Sequence, residues 1–164
     1  MTRLLAIDPG NRESGWVVID VASRRPVEFG KTENTALLER IEWGLGEGGS
    51  AVIEMVASYG MAVGADVFET CVWIGRFTEA LRLYRFDRKV PDLVKRQPVK
   101  LHHCHSAKAK DANLRQALVD RFTPGLPNHG KGTKADPGWF YGFRADIWQA
   151  YALAVYAADI TEEV

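Results

Sequence analysis

Apolar and polar positions follow two rhythms along this chain, and the changes between them mark its elements. Residues 3–7 (RLLAI) form a short apolar run that stops at Asp8-Pro9-Gly10, a turn signal. Residues 15–21 (GWVVIDV) are rich in β-branched side chains and predict a second strand. Arg24-Arg25-Pro26 is a turn, and residues 27–32 complete an antiparallel meander. The spacing then lengthens. Leu37, Leu38, Ile41 and Leu45 predict a helix over 35–45, broken by Glu47-Gly48-Gly49-Ser50. Residues 51–56 (AVIEMV) predict a buried strand that carries one carboxylate, Glu54. A helix follows over 64–84, with Val67, Val72, Ile74, Phe77 and Leu81 as core contacts. Val90, Leu93, Val94 and Val99 allow a further strand within 86–101, which Pro91 and Pro98 blur. Residues 111–122 predict a helix with Leu114, Ala117, Leu118 and Phe122 on one side. Residues 123–143, with three prolines and five glycines, predict a loop or partly disordered segment. An Ala-rich helix over 144–159 closes the pattern. The order predicts one α/β domain over 1–164 with a mixed sheet.

Composition narrows the class. The chain of 164 residues is 46% apolar and 26% charged, which excludes disorder and collagen-like architecture. Charge interrupts every apolar stretch well before a membrane span, and Asp8 cuts the opening run too early for a secretory signal. Cys71 and Cys104 are too few for a disulfide framework and predict a cytoplasmic protein. The net charge is zero, but it is unevenly spread. Residues 1–81 carry −5, residues 82–134 carry +9 and residues 135–164 carry −4, and all four histidines lie in the basic block. Such a block has two readings: a solvated face, or the footprint of phosphate contacts.

Three carboxylates stand in unusual places. Asp8 ends the first strand, Glu54 lies between Val52-Ile53 and Met55-Val56, and Asp146 opens the last helix on the same face as Gln149 and Ala150. A charge inside an apolar strand is costly unless it is paired or binds a metal. Carboxylates gathered from separate elements would suit Mg²⁺ or Mn²⁺, hard ions that favour oxygen, and such a site drives attack of water on a phosphodiester. Each residue also has an ordinary reading: a turn residue for Asp8, a helix-dipole charge for Asp146, a buried ion pair with an arginine for Glu54.

In combination these segments are similar to the RuvC-type Holliday junction resolvases, nucleases of the RNase H-like superfamily. LLAIDPGNRESGWVVID resembles the family's first motif, VIEMV its second, and DIWQAYALAVYAAD its final helix. RQPVKLHHCHSAKAKDANLRQAL resembles the Val-Lys element and basic loop between them. ASYGMAVGADVFETCVWIGRF and AKDANLRQALVDRF look closest to the phage and prophage branch. The resemblance implies an RNase H-like α/β fold, a mixed five-stranded sheet with helices on both faces. It implies an Mg²⁺-dependent nuclease (Mn²⁺ substituting) that cleaves Holliday junctions or other branched DNA to 5′-phosphate and 3′-hydroxyl ends. It also implies a homodimer, for which the 64–84 helix with Phe68, Trp73 and Phe77 is a source of the interface. No membrane and no small-molecule cofactor are expected.

Residue by residue, Asp8, Glu54 and Asp146 match the metal ligands. The fourth position is Gln149, a departure that keeps an oxygen and loses a charge. Lys100 matches the Val-Lys element as a catalytic lysine. Arg96, Lys108, Lys110, Lys131 and Lys134 are expected on DNA phosphates. The family's aromatic wedge falls on Ala57, which leaves Tyr59 as the nearest aromatic for base stacking. Asp159 is rejected as a ligand, lying about 20 Å along the helix from Asp146. His102, His103 and His105 with Cys104 are spaced too tightly for a familiar zinc module and are expected to be DNA-facing or partly buried. Gly130-Lys131-Gly132-Thr133-Lys134 lacks phosphate-loop spacing. Three other activities compete: a catalytically weak branched-DNA-binding module, a nuclease on RNA–DNA hybrids, and an actin-like phosphotransferase, for which 164 residues are too few.

Overall fold

The computed structural model describes residues 1–85 and 88–162. Strands β1 (Arg3–Asp8), β2 (Glu13–Asp20) and β3 (Pro26–Glu33) pair antiparallel in series. β4 (Ser50–Met55) returns parallel to β1, and β5 (Asp92–Lys95) pairs parallel with β4. The result is the expected five-stranded mixed sheet, in the order β3-β2-β1-β4-β5.

Period-2 alternation sends the strand side chains to two separate cores. Leu5, Ile7, Trp16, Val18 and Ile53 pack against α1 (Asn34–Glu42) and α2 (Ala65–Tyr84). Leu4, Ala6, Val17, Ile19 and Val52 face α3 (Arg96–Cys104), α4 (Asp111–Phe122) and α5 (Ile147–Glu162). Helices therefore cover both faces. Central strands buried on both sides need near-continuous apolar sequence, which is what RLLAI and WVVI supply.

Five local expectations change. In α2 the buried side chains are Thr70, Ile74, Phe77, Ala80 and Leu81, so Val72 is exposed rather than core. Phe77 is fully buried against Trp73 and cannot serve a dimer interface; Phe68, 64% exposed, can. In the 86–101 segment, whose Phe86 and Asp87 lie outside the described residues, the strand is only β5. Pro98 sits in the first turn of α3, where its missing N–H costs nothing. Lys100 is thus on a helix. The segment 123–143 holds a 3₁₀ turn at Asn128–Gly130 and a bridge between Gly132 and Pro137, and it is packed rather than disordered. Phe140 and Phe143 are buried against Trp148 and Tyr151 of α5. Trp139 Nε1 donates to the Tyr151 hydroxyl, which donates to the Arg24 carbonyl, both at 2.9 Å. Last, α5 begins at Ile147, after Ala145 at φ 44°, so Asp146 precedes the helix and its carbonyl accepts from Ala150 N–H.

Asp159 and the histidines have structural employment at the far end of α5. Asp159 accepts from Arg24 Nε at 3.0 Å and Arg121 Nη1 at 2.6 Å, and contacts His102 Nε2 at 2.8 Å. Burial works against its charge, yet these partners hold its carboxyl well below the usual range. His103 Nε2 lies 2.8 Å from the Ala152 carbonyl, so that nitrogen carries the proton. Burial lowers the His103 pKa to about 4.

Gly15 sets how closely α5 approaches the sheet. A Cβ there would sit 2.5 Å from the Asp146 carbonyl oxygen and 2.8 Å from its Cβ. Gly15→Ala is therefore expected to destabilise by roughly 1–3 kcal/mol, as overpacking does. At Gly75, inside α2 with nothing within 4 Å of the added Cβ, Ala is expected to stabilise by about 0.5–1 kcal/mol. Urea denaturation of the two variants checks the pair. For His103, the unfolded chain takes up a proton near pH 6.5 and the folded chain only near pH 4. Its stabilising contribution is complete above pH 6.5 and is lost as pH falls toward 4. Thermal unfolding from pH 7.5 to 4.5 should show a weaker acid loss in His103→Gln than in the parent; identical slopes would refute the assignment.

Candidate functional site

One rung across the sheet builds the site. The β2–β3 register pairs Gly15 with Lys31, and the β1–β2 register pairs Asp8 with Gly15. The β1–β4 register pairs Ile7 with Ile53, which puts Asp8 beside Glu54, and Glu54 in turn pairs with Val94 on β5. Asp8 shares the side of β1 that carries Leu4 and Ala6, and Glu54 the side of β4 that carries Val52. Both carboxylates thus emerge on the α5 side, at the carboxyl ends of adjacent parallel strands. Open α/β sheets bind ligands at such strand ends.

Asp8 is 7% exposed. Burial, then the nearby Glu54 charge, raise its pKa well above the ordinary carboxylate value, against the opposing pull of Arg96. Glu54 is raised too, by burial first, with Arg96 again opposing. The cation between them is a guanidinium. Arg96, the first residue of α3, places Nη2 at 2.9 Å from Glu54 Oε1 and 3.5 Å from Asp8 Oδ1, and its Nε donates to Glu54 at 2.9 Å. The buried arginine pair considered for Glu54 is therefore present, and Arg96, expected on phosphate, is turned into the acids.

Asp146 reaches the rung over Gly15, close enough for its charge to raise the pKa of Asp8. Its carboxylate, however, pairs with Lys31 Nζ at 3.0 Å. Gln149 is buried one turn further along α5 and lines a groove with Asp146, Trp148, Asp111 and Arg115. Lys100 is mostly buried, and its charge favours ionised Glu54; its Nζ is 3.7 Å from Asp111. Tyr59, half exposed at φ 49°, lines the cleft of about 310 Å³ that Asp8, Glu54 and Arg96 open into. Lys108 and Lys110 are exposed before α4, and the Lys110 N–H is capped by Asn113 Oδ1 at 2.9 Å. Lys131 and Lys134 flank the Gly132 bridge, Lys131 partly buried and Lys134 exposed.

Among the described residues, no three carboxylate, histidine or cysteine side chains converge on one point. Two do, and the third is turned aside by Lys31. The donor chemistry nonetheless fits a hard divalent ion. Asp8 is buried and Glu54 largely so, both offer only oxygen, and the Asp146 charge already acts on Asp8. Sequence reading missed four contributors: Lys31, Gly15, Asp111 and Arg115. Lys31 and Gly15 become visible only through strand register. Asp111 and Arg115 were read as ordinary members of a helix.

The neutral net charge now has a spatial meaning. Arg96, Lys100 and Arg115, all from the basic block, lie against Asp8, Glu54 and Asp146 from the acidic flanks. No family model and no curated protein sequence matches the chain. Among solved structures it is similar to Thermus thermophilus RuvC (TM-score 0.63, 15% identity, 99% of this chain and 96% of that one). It is equally similar to T. thermophilus RuvC in complex with Holliday junction substrate (TM-score 0.64, 15% identity, the same coverage). At that identity the likeness establishes the architecture: the chain has a RuvC-like, RNase H-like fold.

Proposed function

We propose that this protein is a divalent-metal-dependent, structure-selective endodeoxyribonuclease acting on branched DNA, with Holliday junctions as the leading substrate. The observation that carries this reading is the Asp8–Glu54 pair at adjacent parallel strand ends, Asp8 buried and Glu54 partly so, with Asp146 just before α5 close enough to act on Asp8. The neighbour that shares the fold is described on a Holliday junction.

In this reading Asp8, Glu54 and Asp146 hold Mg²⁺, or Mn²⁺ in its place, and Gln149 offers a neutral oxygen. The bound ion supplies an activated water and stabilises the leaving 3′ oxygen, so that products carry 5′-phosphate and 3′-hydroxyl ends. Lys100, beside Glu54, contributes fixed positive charge where a scissile phosphate would lie. Lys108, Lys110 and Arg115 bind the flanking backbone, with Lys131 and Lys134 extending the basic surface, and Tyr59 stacks on an unpaired base at the cleft mouth. Symmetrical cutting of two strands requires a homodimer. A phage or prophage origin fits the sequence resemblance.

One observation favours a second reading, a branch-binding module of weak activity. Gln149 removes a charge from the ligand set and Lys31 occupies Asp146. Four-way junctions, nicked duplexes and RNA–DNA hybrids incubated with and without Mg²⁺ or Mn²⁺ separate the readings. Asp8→Asn is expected to lower junction cleavage by about three orders of magnitude while leaving junction binding in gel shifts within about threefold, because several kcal/mol of transition-state stabilisation depend on the ion. An Asp8→Asn protein that cuts normally would sink the nuclease reading.

A further inference from the structure

Arg96 lies between Asp8 and Glu54, and the ion proposed above needs the same position. The guanidinium's short contacts are with Glu54 and Asp8. Its backbone is fixed at the junction of β5 and α3, but its side chain is 35% exposed, so its head can leave without opening either core. A second carboxylate waits within reach: Asp111 Oδ1 lies 4.0 Å from Arg96 Nη1. Asp111 stands in the first turn of α4, 58% exposed and loosely shared with Lys100 at 3.7 Å.

The charge balance favours an exchange. Asp8, Glu54 and one guanidinium leave a net −1 in a buried site. A divalent ion in the guanidinium's place brings that to zero, and the released Arg96 closes on Asp111, which it already approaches and which Lys100 holds only loosely. We propose that Arg96 is the resident counter-cation of the Asp8–Glu54 pair, displaced by the incoming divalent ion onto Asp111. This rests on the metal-site reading above. Arg96 holds the two carboxylates ionised and in place, and it also competes with the ion. Metal affinity is thereby set by a protein side chain as well as by the ligands, and Asp111 acts as the positioning residue that receives the arginine.

Mn²⁺ binding followed by calorimetry and by loss of the free-ion EPR signal at pH 8 tests this without any activity measurement. Arg96→Gln should bind Mn²⁺ at least fivefold more tightly than the parent, and Arg96→Lys, which keeps the charge, should stay within twofold of it. Asp111→Asn, an exposed change, should weaken Mn²⁺ binding at least threefold when Arg96 is present and clearly less in the Arg96→Gln background, where only the direct effect of the Asp111 charge on Asp8 and Glu54 remains. Equal or weaker binding by Arg96→Gln, with Asp111→Asn silent, would overturn the exchange and leave the metal site standing. If neither parent nor variants bind Mn²⁺ at millimolar concentration, the exchange falls together with the metal-site reading itself.

Discussion

Two carboxylates buried side by side repel each other, and most of this molecule's chemistry follows from that constraint. Two unit charges 4 Å apart interact by about 4 kcal/mol at an effective dielectric constant of about 20. Asp8 and Glu54 lie on neighbouring strands at one level of the sheet, Asp8 buried and Glu54 partly so, where water screens the repulsion only in part. Burial raises the pKa of each, and the Glu54 charge raises that of Asp8 further. The surrounding elements respond with positive charge: Arg96 between the pair, Lys100 behind Glu54, and Lys31 drawn from the edge strand toward Asp146. A site that demands positive charge this strongly is suited to a cation, and not to a neutral ligand.

The fold supplies the geometry with few residues. Parallel pairing of β1 and β4 brings Asp8 and Glu54 together through register alone. Antiparallel pairing of β1 and β2 sets Gly15 next to Asp8, and the missing side chain admits the Asp146 backbone. The buried aromatics Phe140 and Phe143 then clamp the segment before α5, so Asp146 and Gln149 are held by packing rather than by a tether. At the other end of α5, Asp159 ties the helix to Arg24, His102 and Arg121. The helix is therefore pinned at both ends.

Much of this was legible in the sequence because its signals are local. The meander, the Glu54 strand, α2 and α4 all follow from apolar spacing and come within a few residues of their observed ends. The carboxylates stood out because charge inside apolar strands is rare. What was not legible depends on long-range placement. Val72 and Thr70 differ by two positions in one helix, and only the sheet beneath decides which is buried. The Gly- and Pro-rich 123–143 segment is loop in backbone, as predicted, but its order comes from two phenylalanines meeting α5. Arg96 belongs to the basic block by sequence and to the acidic site by topology, since β5 ends next to β4. Lys31 lies far from Asp146 in sequence and across two strands from Glu54, and no local pattern links them.

Gln149 and the Lys31–Asp146 pair make the third arm of the site the one on which function turns. The most direct measurement is a crystal structure of the protein soaked in Mn²⁺, with anomalous difference density collected at the manganese edge. The account predicts a strong peak bridging Asp8 and Glu54, Arg96 moved off the pair, and the Asp146 carboxylate rotated from Lys31 toward the ion. Saturating Mn²⁺ with no peak there, and Arg96 still lying between Asp8 and Glu54, would contradict it.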